Sequence, residues 1–128
     1  MTTTQTHPGE AAAAQAQWQR ICRVDALEPE RGRAALVGTT QVALFLLHDG
    51  EIYAVSNRDP YSGAHVMSRG IVGTRGGVPT VASPMYKHVF DLRTGTCLDT
   101  QGKDERVLDV WPATVRDDEL FLNMPEQR

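Results

Sequence analysis

The sequence predicts an all-β domain built as an antiparallel β-sandwich or small barrels. Three observations predict it: the apolar stretches have strand length, Gly and Asp pairs fall between them, and no long amphipathic helix interrupts the series. The first stretch runs from Trp18 to Val24. A helical turn is expected at Asp25–Ala26–Leu27, with Asp25 as its cap and Pro29 ending it. Ala34 to Val37 follows, and Gly38 turns the chain towards Val42 to Leu47. Asp49–Gly50 then closes a hairpin with Ile52 to Ser56, and the period of two places Val42, Leu44 and Leu46 on one face. Gly76–Gly77 reverses the chain ahead of Val78 to Ala82, and Val89 to Leu92 runs into the turn at Thr94–Gly95. Val107 to Trp111 and Leu120 to Asn123, with Asp117–Asp118 between them, complete the set.

A chain of 128 residues with 41% apolar content is sized for one domain with its own core. Residues 1–16 hold Thr, Gln, Ala, Pro and Gly with no face to bury, so they are expected as a tail; 17–124 is the expected domain and 125–128 a short C-terminal tail. The net charge of −3, a pI near 5.7 and the absence of any Lys/Arg run argue against nucleic acid as a partner. No apolar run is long enough to span a bilayer, and Met1 to Gln17 has neither a basic start nor an apolar stretch. The expected setting is therefore cytoplasmic and away from membranes. The spacing of Cys22 and Cys97 leaves a disulfide open, but two reduced, partly buried thiols suit that setting better.

The informative region is Asn57 to Gly95, which holds two loops of similar construction. One reads Asp59–Pro60–Tyr61–Ser62–Gly63–Ala64 and continues to Ser68–Arg69–Gly70; the other reads Ser83–Pro84–Met85–Tyr86 and continues through Phe90–Asp91–Leu92–Arg93–Thr94–Gly95. The pair resembles the two cluster-binding loops of Rieske proteins, in which Cys-x-His precedes Gly-Ala and Cys-x-x-His precedes Phe-Asp-x-x-Thr-Gly. The resemblance implies a Rieske-like fold with these loops at its tip. The framework matches and the ligands do not, because Asp59, Tyr61, Ser83 and Tyr86 stand at the four ligand positions. A Rieske centre needs two thiolates on one iron and two imidazoles on the other. A carboxylate, a hydroxyl and two phenols offer only hard or weakly basic oxygens, so a cluster-free tip is expected. Cys22 and Cys97 lie at neither loop's ligand positions.

With these substitutions, the sequence is similar to the NirD family, the small subunits of NAD(P)H-dependent nitrite reductases. The segments that carry the similarity are Trp18-x-x-Ile21–Cys22, Ala54–Val55–Ser56–Asn57, Asn57-x-Asp59–Pro60, Ser68–Arg69–Gly70–Ile71 and Val81–Ala82–Ser83–Pro84. The resemblance implies a non-catalytic subunit without cofactor or metal of its own. It would sit beside a large subunit that carries sirohaem, a [4Fe-4S] cluster and FAD and reduces nitrite to ammonium with NAD(P)H. The loops bear Pro60, Tyr61, Val66, Met67, Pro84, Met85 and Tyr86 (with Val89 beyond), types enriched at interface cores. These residues either dock the large subunit or pack on one another.

Other readings of single residues are weaker. Tyr61 and Tyr86 are expected to fill the vacated ligand volume, rings inward and hydroxyls bonded, rather than to relay electrons. Asp59, His65 and His88 have ligand chemistry without ligand spacing, and ordinary loop hydrogen bonding explains them better. No His and acid can be assigned to activate Ser83, and Gly73, Gly76 and Gly77 do not follow a phosphate-loop pattern. His48 sits in a hairpin turn and needs no role. Two other functions remain: a Rieske-type ferredoxin-like electron carrier, which would be coloured and contain iron, or a stand-alone Rieske-like binding module of another reductase or oxygenase.

Overall fold

β-Branched and aromatic residues recur in short runs bounded by residues that accept left-handed backbone, and each run becomes a strand. The computed structural model describes residues 17–124; the tails expected at 1–16 and 125–128 lie outside the described residues. Among the described residues there are eleven strands: β1 (Trp18–Arg23), β2 (Arg33–Val37), β3 (Thr40–Leu46), β4 (Ile52–Ser56), β5 (Ile71–Arg75), β6 (Val78–Ala82), β7 (Val89–Asp91), β8 (Cys97–Asp99), β9 (Val110–Trp111), β10 (Ala113–Arg116) and β11 (Glu119–Asn123). They form three antiparallel sheets with strand orders β1-β11-β10, β2-β3-β4-β9 and β5-β6-β7-β8.

Strand β3 explains how the sheets stack. Val42 and Leu44 face a core shared with Leu120 and Leu122 of β11, with Leu46 packed at its edge, as the period of two predicts. The alternate residues Ala43 and Phe45 are equally buried, in a second core with Val81 of β6, Phe90 of β7 and Cys97 of β8. β4 repeats the division, with Ala54 in the first core and Val55 in the second. The middle sheet is thus covered on both faces, and its strands read as continuous apolar runs rather than alternating ones.

The hairpins fall where the turn residues predict. At Gly76–Gly77 both residues have positive φ, +60° and +82°, the backbone of a primed two-residue turn matched to strand twist. Asp117 and Asp118 adopt the same left-handed region between β10 and β11. Other details differ from the expectation. The helical turn spans Val24–Ala26 and Arg23 occupies its cap position without a side-chain bond. Asp25 therefore does not cap; it lies inside the turn and pairs with the Arg23 guanidinium at 3.3 Å. Of the stretch from Val107, only Val110–Trp111 joins a ladder, because the preceding residues cross from one sheet to the other, tied by the Leu108 N–H to Gly95 O (2.9 Å) and the Ser56 N–H to Asp109 O (2.8 Å). Strands β5, β8 and β10 lie outside the predicted runs: β5 contains Gly73, β8 has three residues and β10 follows Pro112.

Candidate functional site

Three loops beside the β5–β8 sheet share one local construction. Asp59, Ser83 and Asp91 each start a loop in which the side-chain oxygen accepts the N–H two residues on: Tyr61 to Asp59 Oδ1 (2.8 Å), Met85 to Ser83 Oγ (3.2 Å) and Arg93 to Asp91 Oδ1 (2.8 Å). Each starting carbonyl accepts from four residues on, at Gly63 (2.7 Å), Lys87 (3.0 Å) and Gly95 (2.7 Å). Each starting N–H donates five residues on, to Ala64 (2.8 Å), His88 (2.9 Å) and Thr96 (2.8 Å). The fourth-following residue must be left-handed to close this turn, and Gly63, Lys87 and Gly95 have φ of +81°, +62° and +80°. Glycine fits that region freely, whereas Lys87 does not. At Gly95 a side chain would also collide with the Leu108 carbonyl.

The first two loops meet at the tip. Buried Asp59 and Ser83, at the two thiolate positions of the Rieske pattern, bond directly to each other, the Ser83 hydroxyl donating to Asp59 Oδ2 at 2.5 Å. Asn57 closes the first loop from within: its Oδ1 accepts the Ser68 N–H (2.7 Å), its carbonyl the Met67 N–H (3.0 Å), and its amide donates to Gln41 (3.2 Å).

The two imidazole positions behave differently. Tyr61 turns inward as expected, its ring stacked on His88 with centroids 3.8 Å apart. Its hydroxyl donates to the Asp104 carbonyl (2.7 Å) and accepts the Arg106 N–H (3.1 Å), and Cys97 Sγ lies 3.5 Å away. Burial, joined by the Cys97 contact, pushes the phenol up to about 12. Tyr86 does not fill vacated volume: it is 58% exposed, edge-on to His88 at 6.2 Å, because His88 already occupies the place against Tyr61. His88 is 1% exposed, and neither ring nitrogen has a partner among the described residues, so the expected loop hydrogen bonding is replaced by stacking. Strand alternation signals this, since His88, Phe90 and Leu92 share the inward face.

The seven apolar loop residues separate as well. Pro84, Met85 and Tyr86 are exposed; Pro60, Tyr61 and Val66 are half-buried. Met67 is fully buried in the core with Phe45 and Phe90, because the short helical turn Met67–Arg69 aims it inward, so Met67 is not a surface residue. Beside Tyr86 and Tyr61 opens a cleft of about 690 Å3, lined also by His88, Gln101, Lys103, Asp104 and Arg106. The segment that supplies its rim was missed by the sequence reading; it carries no periodicity, and its closure over Tyr61 depends on contacts more than 40 residues apart in the chain.

The Rieske-like [2Fe-2S] domain family matches residues 17–123. The nitrite reductase (NADH) small subunit of Escherichia coli K12 is 41% identical over 86 residues, 66% of this chain and 80% of that protein. The chain belongs to the NirD family of nitrite reductase small subunits. The solution structure of E. coli NirD superposes with a TM-score of 0.75 at 36% identity, covering 87% of this chain and 99% of that one. A nitrite reductase large subunit of Klebsiella oxytoca is 39% identical over 114 residues, 89% of this chain, which spans 12% of that protein's length. The donor set of this NirD-family chain does not fit a Rieske cluster. Two of the four ligand positions are consumed by their mutual hydrogen bond, Tyr61 by the 104–106 segment, and Tyr86 points outward. Among the described residues no three His, Cys, Asp or Glu side chains converge as metal ligands, and both cysteines are free, Cys22 on β1 and Cys97 on β8.

Proposed function

We propose that this chain is the non-catalytic small subunit of a cytoplasmic NAD(P)H-dependent nitrite reductase serving nitrate assimilation, docked through its loop tip on a large subunit that holds sirohaem, a [4Fe-4S] cluster, FAD and the NAD(P)H site. The observation that carries the cluster-free part is the Asp59–Ser83 hydrogen bond, which ties together the two positions where thiolates would hold iron. The partner is supported by the relatives: one is named as a small subunit, and in K. oxytoca the matching stretch belongs to a chain named as the large subunit. The docking surface comprises exposed Pro84, Met85 and Tyr86 with half-buried Pro60, Tyr61 and Val66 at their edge.

Co-expression with the cognate large chain tests the reading. The expected result is a co-purifying complex whose nitrite-dependent NAD(P)H oxidation falls when this subunit is omitted, and an isolated chain without iron or visible absorption. Stoichiometric iron with visible absorption in the isolated chain would overturn the cluster-free assignment, and failure to associate would overturn the subunit role.

A further inference from the structure

The charges around the tip cleft point to the chemistry of what covers it. Arg20, Arg23, Arg31, Arg75 and Arg93 each pair with a carboxylate. The remaining described cations form no salt bridge with a described residue, and of these only Arg33 and Arg116 lie outside segments 57–70, 83–88 and 100–109. Both lysines of the chain, Lys87 and Lys103, are in this group, in a protein whose net charge is −3. Lys87 holds a left-handed position that is glycine in the two equivalent loops, so a cation stands at the tip against the backbone preference. At the cleft, the Arg106 guanidinium lies 5.9 Å from the centre of the Tyr61 ring, and Lys103 stands on the rim with Asp104 beside it, so the two cations outnumber the one carboxylate of the lining. Beneath the Tyr61 ring lies His88, 1% exposed, its ring nitrogens buried and without a hydrogen-bond partner among the described residues. Tyr86, 58% exposed, flanks the opening, and its chain neighbour Met85 is 45% exposed. A free anion would satisfy the cations and leave those apolar side chains in water, whereas a protein loop covers both.

We propose that this cleft receives an acidic loop of the large subunit, one carboxylate of which pairs with Lys103 and Arg106 above the Tyr61–His88 floor. The inference rests on the docking reading above and adds the chemistry of the partner's contact. Rim charges of this kind act on association rate and salt dependence.

Surface plasmon resonance of the full chain on its cognate large subunit, across a salt series, tests it. The double reversal K103E/R106E is expected to weaken Kd by about 10-fold or more and to flatten its salt dependence, and R116E, on the β10–β11 hairpin, to stay within about 2-fold. K103Q/R106Q, which removes charge without adding any, is expected to weaken binding by a smaller factor in the same direction, and thermal melting verifies that all variants fold. If charge reversal leaves the affinity unchanged while M85D abolishes it, the tip docks through apolar contact alone: the acidic-loop inference falls and the subunit reading stands. If the unaltered chain does not bind the large subunit, the subunit reading itself fails and takes the inference with it. Sedimentation showing that the chain alone dimerises, and that K103E/R106E dissolves the dimer, would assign the cleft to a second copy and overturn the proposal.

Discussion

At the residue scale, a hydrogen bond between Asp59 and Ser83 and the stacking of Tyr61 on His88 hold the tip together. Ser83→Ala leaves one buried oxygen of Asp59 and the Met85 N–H without their partner, and is expected to cost about 1–3 kcal/mol in urea-unfolding free energy. An unchanged midpoint would show that the bond does not clamp the loops. Tyr61 carries a pH signature. Its folded value of about 12 lies above the ordinary phenol value of about 10, so the folded chain holds this proton more firmly than the unfolded one. The resulting stabilisation is complete below about pH 10 and is lost as pH rises through 12. Relative to Tyr61→Phe, the unaltered protein should lose stability across that window; parallel profiles would exclude the effect. Lys87→Gly relieves the left-handed strain and is expected to raise stability by roughly 1 kcal/mol, read from the same denaturant curves. The sequence places Asp59, Tyr61, Ser83 and Tyr86 at the four positions of the Rieske pattern, and the mismatch of their chemistry with iron ligation is a property of the side chains alone. The opposite orientations of the two tyrosines were not, because His88 competes for the same space.

At the element scale, one turn construction used three times sets up the site. Two of its copies, at Asp59 and Ser83, bring the tip loops together, and the third, at Asp91, anchors the crossing segment through Gly95 and Leu108. The first two were legible as paired loops, since each begins with a side chain suited to such a turn followed by Pro. The third belongs to the Phe90–Asp91 to Thr94–Gly95 stretch, which reads as a turn without showing that it repeats the others. The methionines show where reading by residue type stops: Met67 and Met85 look alike in sequence, yet the turn at Met67–Arg69 buries one completely and the second loop exposes the other. Met67→Asp forces a carboxylate into the core, so its expected cost is several kcal/mol, roughly 3 or more, with loss of the thermal transition. Met85→Asp should shift stability by no more than about 0.5 kcal/mol while weakening large-subunit binding. Equal destabilisation by both would mean that the exposed loop packs as core.

At the scale of the whole molecule, β3 and β4 belong to two cores at once, which couples the tip-bearing sheet to the β1-β11-β10 sheet. Phe45→Ala removes a fully buried ring from the tip-side core and is expected to cost about 3–5 kcal/mol. Because the strand is shared, Trp111, which packs against the other core, should report the same single transition by fluorescence as circular dichroism reports for the backbone. Two separated transitions would show that the sheets unfold independently. The all-β class, the main hairpins and the family were determined by the sequence itself, because strand period, turn chemistry and the identity of four loop residues are local properties that need no partner. Only the tertiary structure decided which loop side chains face solvent, that His88 stacks on Tyr61 with no hydrogen-bond partner for its ring nitrogens among the described residues, and that Arg106 stands over the Tyr61 ring with Lys103 on the cleft rim. Those outcomes depend on contacts between segments far apart in the chain, which is where burial and charge environment are set.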